Sequence, residues 1–352
     1  MEYRYLGRSG LRISIITLGT MTFGGKDKFA KLGNSDVKEA KKIIDLCIDK
    51  GVNVIDTANI YSFGESEKII GEVLKGKRPG DVLISSKARM PMGDGPNESG
   101  FSRHHIIGEC EKSLKRLQTD VIDIYYMHEW EGRTPPEEML EALTSLIQQG
   151  KIRYAGCSNF SGWHIMKSLG ISKERNLVRF IAQQIHYTLE AREAEYELLP
   201  IAVDQGVGAT VWSPLAGGLL SGKYTHNKKP EGVTRMTQGW TEPPIRDEER
   251  LWNIVDVINE IAEEHEVSGA QIALAWTLTR PGVASLVIGG RKIEQIKDNL
   301  AAAELKLTED QIKRLNEVSN PPLLYPYWHQ EKFAKGTFSE GDLALFGDRP
   351  DN

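Results

Sequence analysis

The feature that most constrains this chain is a repeated pattern. From about residue 14 to residue 300, short apolar runs alternate with segments whose apolar residues fall at helical spacing. Ile15–Leu18 precedes a helix over about Asp36–Lys50, which opens with Asp36 and Glu39 in capping-box spacing and stops at Gly51. Asn53–Asp56 reads as the second strand, with a helix from about Ser66 to Lys75. Val82–Lys87 reads as the third, and Arg103–Leu117 then sets Ile106, Ile107, Cys110, Leu114 and Leu117 on one helical face. Ile122–Met127 leads into a helix over Pro136–Gln149, ended by Gly150. Tyr154–Ser158, Ile181–Tyr187, Gly208–Trp212 and Ser285–Ile288 complete eight strands, each followed by helical pattern. Strands that are apolar throughout, rather than alternating, suit a parallel sheet covered on both faces. Eight such units can close into a (β/α)8 barrel or wind into a large open sheet. No glycine fingerprint of a dinucleotide-binding open sheet follows the first strand, which favours the α/β barrel. Tyr3-Arg4-Tyr5 through Gly10 to Arg12-Ile13 reads as a hairpin able to plug one barrel end.

A barrel typically fills about 250 residues as one unit, so the 352 residues read as a single barrel domain, with its core over about 5–320 and a tail over 321–352. Net charge is −5 with both signs interspersed, and the lack of a basic stripe argues against a nucleic-acid partner. The first residues hold no apolar core like that of a signal peptide, and no segment is apolar enough to span a bilayer; the expected location is cytoplasmic, with no membrane partner. Cys47, Cys110 and Cys157 show neither metal-ligand nor redox spacing, so no metal is expected.

Three segments break the repeat. Arg89–Phe101 holds three glycines, and Ser213–Arg246 holds five over a long stretch without stable period. Both follow strands, which puts them on the C-terminal face, where barrel active sites lie. The tail past Pro321-Pro322 carries Tyr325, Tyr327, Trp328 and His329. It can pack against the outside of the barrel or wall the substrate pocket; the sequence leaves both open.

Four polar residues stand at or just past strand ends: Asp56 after the second strand, Tyr61 five residues on, Lys87 at the third and His128 after the fourth. Each alone has an ordinary structural use, as a turn cap, a solvent-reaching lysine or a loop histidine. Charged groups pointing into a barrel mouth need partners, because desolvation is costly. Lys87 and Asp56 on adjacent strands supply each other. A tyrosine hydroxyl titrates near 10 in water; a neighbouring ammonium stabilises tyrosinate and is expected to lower that value. Such a phenol, with a hydrogen bond from His128, suits protonation of an oxygen that gains charge as hydride reaches a carbonyl. A Lys87 Schiff base is the chemical rival, disfavoured by Asp56, which suppresses the free amine. A second group, Gly289-Gly290-Arg291 with Gln295 and Asn299, combines glycines before a helix N-terminus with a fixed cation and two amides on one helix face. That combination suits a phosphate and a planar base.

These residues resemble the aldo-keto reductase superfamily over about Tyr5–Asn320. Leu18-Gly19-Thr20-Met21-Thr22-Phe23-Gly24 is similar to its first strand and loop, and Asp56-Thr57-Ala58-Asn59-Ile60-Tyr61 to its Asp-Thr-Ala-x-x-Tyr element. Ser85-Ser86-Lys87 and Met127-His128 supply the rest of its catalytic tetrad. Gly156-Cys157-Ser158-Asn159-Phe160, Gln184-Ile185-His186-Tyr187 and the run Val211–Lys223 resemble its strand-five, -six and -seven motifs. The resemblance implies reversible NADPH-linked reduction of aldehydes or ketones, with Tyr61 as general acid tuned by Lys87 and Asp56, and with His128 orienting the carbonyl. It implies that Gly19, Thr20, Met21 and Asp56 belong to the cofactor site and that Trp212 stacks on the nicotinamide. It further implies that Ser158, Asn159 and Gln184 bind the carboxamide; Ser213, Leu215, Gly217, Leu219 and Lys223 line the pyrophosphate path; and Gly290, Arg291, Gln295 and Asn299 hold the adenosine end. Arg291, with Arg235 as a further candidate, would favour NADP(H). Gln183 beside Gln184 offers a one-residue slip of the amide contact, and Ile288 stands where many relatives have proline. Glu129, Trp130, the Arg89–Phe101 loop and the tail are expected to shape the pocket for a small or medium carbonyl, with sugars and xenobiotic ketones in view. Trp-Ser-Pro-Leu and the long loop after it resemble the branch containing potassium-channel β subunits. That branch implies an alternative: a cofactor-binding sensor or partner protein with little turnover. Channel β subunits typically lack the histidine at the place of His128. A homo-oligomer is compatible with the sequence, which does not choose an oligomeric state.

Overall fold

A computed structural model describes residues 1–25, 29–30, 33, 35–76, 78–225 and 244–347. The N-terminal segment pairs β1 (Tyr3–Tyr5) with β2 (Arg12–Ser14) as an antiparallel hairpin. Eight parallel strands then close into a barrel: β3 (Ile16–Gly19), β4 (Val54–Asp56), β5 (Leu83–Ala88), β6 (Ile122–Met127), β7 (Ile152–Ser158), β8 (Phe180–His186), β9 (Gly208–Trp212) and β10 (Val283–Ile288), with β10 returning to β3. The strands are buried along most of their length, as apolar runs between two covered faces require.

The outer ring follows in chain order: α1 (Val37–Asp49), α2 (Glu65–Leu74), α3 (Arg103–Leu117), α4 (Pro136–Gln148), α5 (Gly162–Arg175) and α6 (Leu198–Asp204), then α7 (Glu248–His265) and α8 (Gly269–Leu278) in tandem before β10. α9 (Ile293–Ala301), α10 (Glu309–Ser319), α11 (Tyr327–Ala334) and α12 (Glu340–Phe346) complete the described chain. Asp36 caps α1 by accepting from the Glu39 amide, as its spacing indicates. None of the described helices is long and apolar enough to cross a membrane.

The hairpin plugs the barrel's N-terminal end. Leu6 and Ile13 join Val54, Leu83, Ile124, Tyr126 and Ile181 in the apolar cluster inside the barrel. Arg4 Nη1 ties the hairpin down through the carbonyls of Leu278 and Val283, both at 2.9 Å. Gly7 has φ +58°, and a Cβ there would lie 2.4 Å from the carbonyl oxygens of Gly206 and Ile181, so the close approach requires glycine.

The tail packs on the outside of the barrel. α12 lies on α6, with Gly341 close against Pro200 and Asp204. The Tyr196 hydroxyl donates to the Pro322 carbonyl, and the Tyr196 and Tyr327 rings stack at 5.1 Å. No described tail residue lines the cleft at the opposite, C-terminal end of the strands. The described tail residues therefore fit the outer-packing reading and not the pocket-wall one.

Candidate active site

The carboxyl ends of the strands open into a cleft of about 980 Å³ that runs from Tyr61 and His128 to Asn299. Backbone pairing sets the polar residues around it. Asp56 ends β4 in register with Gly19 on one side and Ser85 on the other. The chain then stays bonded to β5, with the Thr57 amide donating to the Ser85 carbonyl at 2.9 Å and the Asn59 amide to the Lys87 carbonyl at 3.1 Å. This carries Tyr61 over the end of β5. The turn behind it uses left-handed backbone at Ser62 (φ 49°) and Phe63 (φ 52°).

Lys87 is completely buried and donates to three oxygens: Asp56 Oδ1 at 2.5 Å, the Thr57 carbonyl at 2.8 Å and Tyr61 Oη at 3.4 Å. Burial alone would lower the lysine, but Asp56 and Tyr61 more than offset it, so its pKa lies above the ordinary value and the group stays an ammonium. The Tyr61 phenol corrects an expectation from the sequence. Its pKa is raised, because burial outweighs the opposing pull of Lys87, and Asp56 adds to the rise. The phenol therefore keeps its proton at neutral pH, and the ammonium acts on the phenolate left after proton transfer. His128 faces Tyr61 with ring centroids 5.9 Å apart. Burial, then Lys87 and Arg89, push its pKa well below the usual imidazole range, so it is neutral, and its buried Nδ1 has no partner.

Asn159, at φ 56°, joins two strands' ends. It accepts from Trp212 Nε1 at 3.1 Å and donates to the His128 carbonyl at 3.1 Å. Trp212 thereby presents its indole to the cleft. Of the adjacent glutamines, Gln184 turns into the cleft and Gln183 turns away, donating to the carbonyls of Leu198 and Val207. The slip that the pair allowed does not occur.

The far half of the cleft has the shape and donors of a dinucleotide cradle. Gly19, Thr20, Met21, Ser158, Ser213, Leu215, Gly217, Lys223, Gly290, Arg291, Gln295 and Asn299 all line the cleft. Gly218, at φ +103°, has nothing within 4 Å of where a Cβ would stand, so backbone lies open to the cleft. Lys223, Arg291 and Lys292 bring positive charge to a wall that also carries the start of α9, a donor set suited to phosphates. These residues fit a nicotinamide dinucleotide. Leu219 is a correction: its side chain is 3% exposed within the core and is not among the cleft residues. Gln295, while lining the cleft, also caps α9, its Oε1 accepting from the Arg291 and Lys292 amides. Arg235 lies outside the described residues.

A family model described as the Aldo/keto reductase family matches residues 15–320. This chain belongs to that family. It is 38% identical to the "Uncharacterized oxidoreductase YrpG" of Bacillus subtilis over 92% of this chain and 97% of that protein. It is 36% identical to a "Probable voltage-gated potassium channel subunit beta" of Arabidopsis thaliana over 87% of this chain and 92% of that one. A "Putative voltage-gated potassium channel subunit beta" of Schizosaccharomyces pombe is 37% identical over 91% of this chain and 94% of its own. Family membership and the bacterial relative together support an oxidoreductase.

Within this aldo/keto reductase, several site residues carry no sequence signal of their own. Ser85 donates to Asp56 Oδ2 at 2.7 Å, and Lys87's second acceptor is a backbone carbonyl, that of Thr57. Asp298, which lines the cleft, accepts from Ser268 Oγ at 2.8 Å and Gln271 Nε2 at 2.7 Å, tying α8 to α9. Near Tyr61, Phe29, Met21, Met90 and Met92 form an apolar cluster, of which Met21 and Met90 line the cleft. Met90 and Glu129 line the cleft, so the loop after β5 and the residue after His128 do shape it. Trp130 does not: it stacks on His164 at 3.9 Å and packs edge-on to Phe160.

Proposed function

We propose that this chain catalyses the reversible, NADPH-dependent reduction of an aldehyde or ketone to an alcohol. The observation that carries the reading is the Tyr61 hydroxyl within hydrogen-bond reach of the Lys87 ammonium, itself paired with Asp56, at one end of a long cleft whose other end carries Lys223, Arg291 and Lys292. When bound, a reduced nicotinamide supplies hydride to the carbonyl carbon. The chain's own residues handle the oxygen. Tyr61 Oη donates its proton to the oxygen as negative charge develops there, and Lys87 Nζ holds the phenolate that remains. Solvent returns a proton to Tyr61 after the alcohol leaves. His128, neutral, would hydrogen-bond the same oxygen through Nε2 in the tautomer protonated there, orienting the carbonyl. Asn159 holds Trp212 and the His128 carbonyl in one frame, giving the nicotinamide a fixed platform. Lys223, Arg291 and Asn299 hold the phosphate and adenosine end, with Arg291 favouring NADP(H) over NAD(H).

A lysine-dependent aldolase chemistry is disfavoured by the same geometry, because Lys87 is held protonated by Asp56 and its donors are all engaged. Met21 and Met90, in the cleft wall beside Tyr61, favour a carbonyl with an apolar body over a polyhydroxylated sugar. Following NADPH oxidation against a panel of aldehydes, ketosugars and diketones tests the activity. Tyr61→Phe should lower turnover by at least about a hundredfold while leaving NADPH affinity nearly unchanged; full turnover in that variant would place the proton donor elsewhere. The channel β subunits among the relatives favour a second reading, a cofactor-binding partner with little turnover. Tight NADPH binding without turnover on any carbonyl would select it.

A further inference from the structure

In a closed ring of eight strands, β4 and β8 stand four places apart and so lie opposite each other. Gln184 on β8 nevertheless donates from Nε2 to Asp56 Oδ2 on β4, at 3.0 Å. The side chain spans the barrel mouth. Because a carboxylate only accepts, this contact fixes the amide's orientation, with Nε2 on Asp56 and Oε1 left as an acceptor. Ser85, the register partner of Asp56 on β5, donates to the same Oδ2 at 2.7 Å, while Oδ1 holds Lys87 at 2.5 Å. All four residues are buried, Gln184 most exposed at 3%, and Gln184 also lines the cleft.

We propose that Gln184 and Ser85 are positioning residues for Asp56, and that Gln184 relays the arrival of an amide N–H donor in the cleft to the Lys87–Asp56 pair. The relay rests on the reductase reading; the positioning does not. A hydrogen bond accepted at Oε1 polarises the amide and strengthens donation from Nε2. That draws negative charge away from Asp56, whose charge opposes ionisation of Tyr61. More of the ammonium's field then falls on the phenol oxygen. Among the described residues, His128, which is neutral, also faces Tyr61, and Arg89 acts on His128 from behind it. The carboxamide of a nicotinamide is the donor the geometry fits. Its arrival would prepare the proton donor only when the reductant is in place.

The test follows Tyr61 ionisation by nuclear magnetic resonance of ring-labelled tyrosine, with the signal assigned by its loss in Tyr61→Phe. In the cofactor-free protein, the near-isosteric Gln184→Met and, separately, Ser85→Ala should each move the Tyr61 titration upward, by less than the roughly one pH unit that losing a charge-assisted hydrogen bond to the phenolate itself would give. Unmoved titrations in folded variants would overturn the positioning role; if Gln184→Met fails to fold, Ser85→Ala decides alone. The relay is tested with NADP+ against its acetylpyridine analogue, which has the same charge but no amide N–H. NADP+ should lower the wild-type Tyr61 titration further than the analogue does, and the two should act alike in Gln184→Met. Equal shifts in the wild type would overturn the relay. Failure of the wild type to bind NADP+ would instead sink the reductase reading and the relay with it, while the cofactor-free comparison would still decide the positioning role.

Discussion

Burial acts on Tyr61, Lys87 and His128 together, yet leaves each in the protonation state that the proposed carbonyl reduction needs. It raises the phenol and drives the imidazole down, and only the lysine, with Asp56 beside it, resists the loss of its charge. The sign of the pH dependence follows. With the Tyr61 pKa above its ordinary value, the phenol is protonated through neutral pH, so reduction should hold steady there and fall only at alkaline pH. Alcohol oxidation, which needs the phenolate to accept a proton, should rise over that same range. With His128 neutral to well below 6.5, no limb should occur near that pH. Profiles of kcat in both directions check this, and a limb centred near 6.5 would contradict it. The four polar residues were legible because each ends or follows an apolar strand, where a charge needs a reason. Ser85 was not, since a serine inside a strand is unremarkable until register sets it against Asp56. The direction of the Tyr61 shift was also hidden, because sequence shows the ammonium but not how completely the site is dried.

At the scale of elements, α3, β6 and β9 begin and end where their apolar patterns do, since each is bounded by a change of period or a helix cap. β7 starts two residues earlier than its pattern, at Ile152, because the exposed Arg153 interrupts the apolar run without interrupting the ladder. α11 buries no side chain fully and so gives no amphipathic signal, and it escaped sequence reading for that reason. The segment after β9 folds into a tight turn over Ala216–Ser221, with Gly217 and Gly218 at positive φ. Gly218→Val should weaken NADPH binding by at least about tenfold, because a branched side chain is strained at that φ and projects into open cleft. The fold should survive, and calorimetric titration with a circular-dichroism control distinguishes the two effects. At the start of α9, Arg291→Ala should cost NADPH much more affinity than NADH, by roughly 1–2 kcal/mol for one charge-assisted phosphate contact. Equal losses would remove Arg291 from the 2′-phosphate.

The whole molecule separates stability from chemistry along the barrel axis. Its N-terminal end is closed by the hairpin, with Leu6 and Ile13 in the interior; its C-terminal end carries the cleft. The barrel was legible from eight apolar runs, whereas the tail's place was not, because its aromatic residues suit an outer surface as well as a pocket wall. Docking of α12 on α6, outside the barrel, predicts a stability effect without a kinetic one. Leu345 is 4% exposed, so Leu345→Ala should destabilise the fold by about 2 kcal/mol or more and leave KM for substrate and cofactor unchanged. Denaturant unfolding and steady-state kinetics on the same variant check this; a raised KM with unaltered stability would return the tail to the pocket.

The central claim is that the buried Lys87–Asp56 pair stabilises the phenolate formed when Tyr61 gives up its proton. It is tested most directly by the pH profile of kcat for carbonyl reduction in Lys87→Met, with NADPH saturating. The account predicts a fall in the plateau of about a hundredfold or more, with the alkaline limb moved to higher pH. A variant that keeps both the wild-type plateau and the wild-type limb would contradict it.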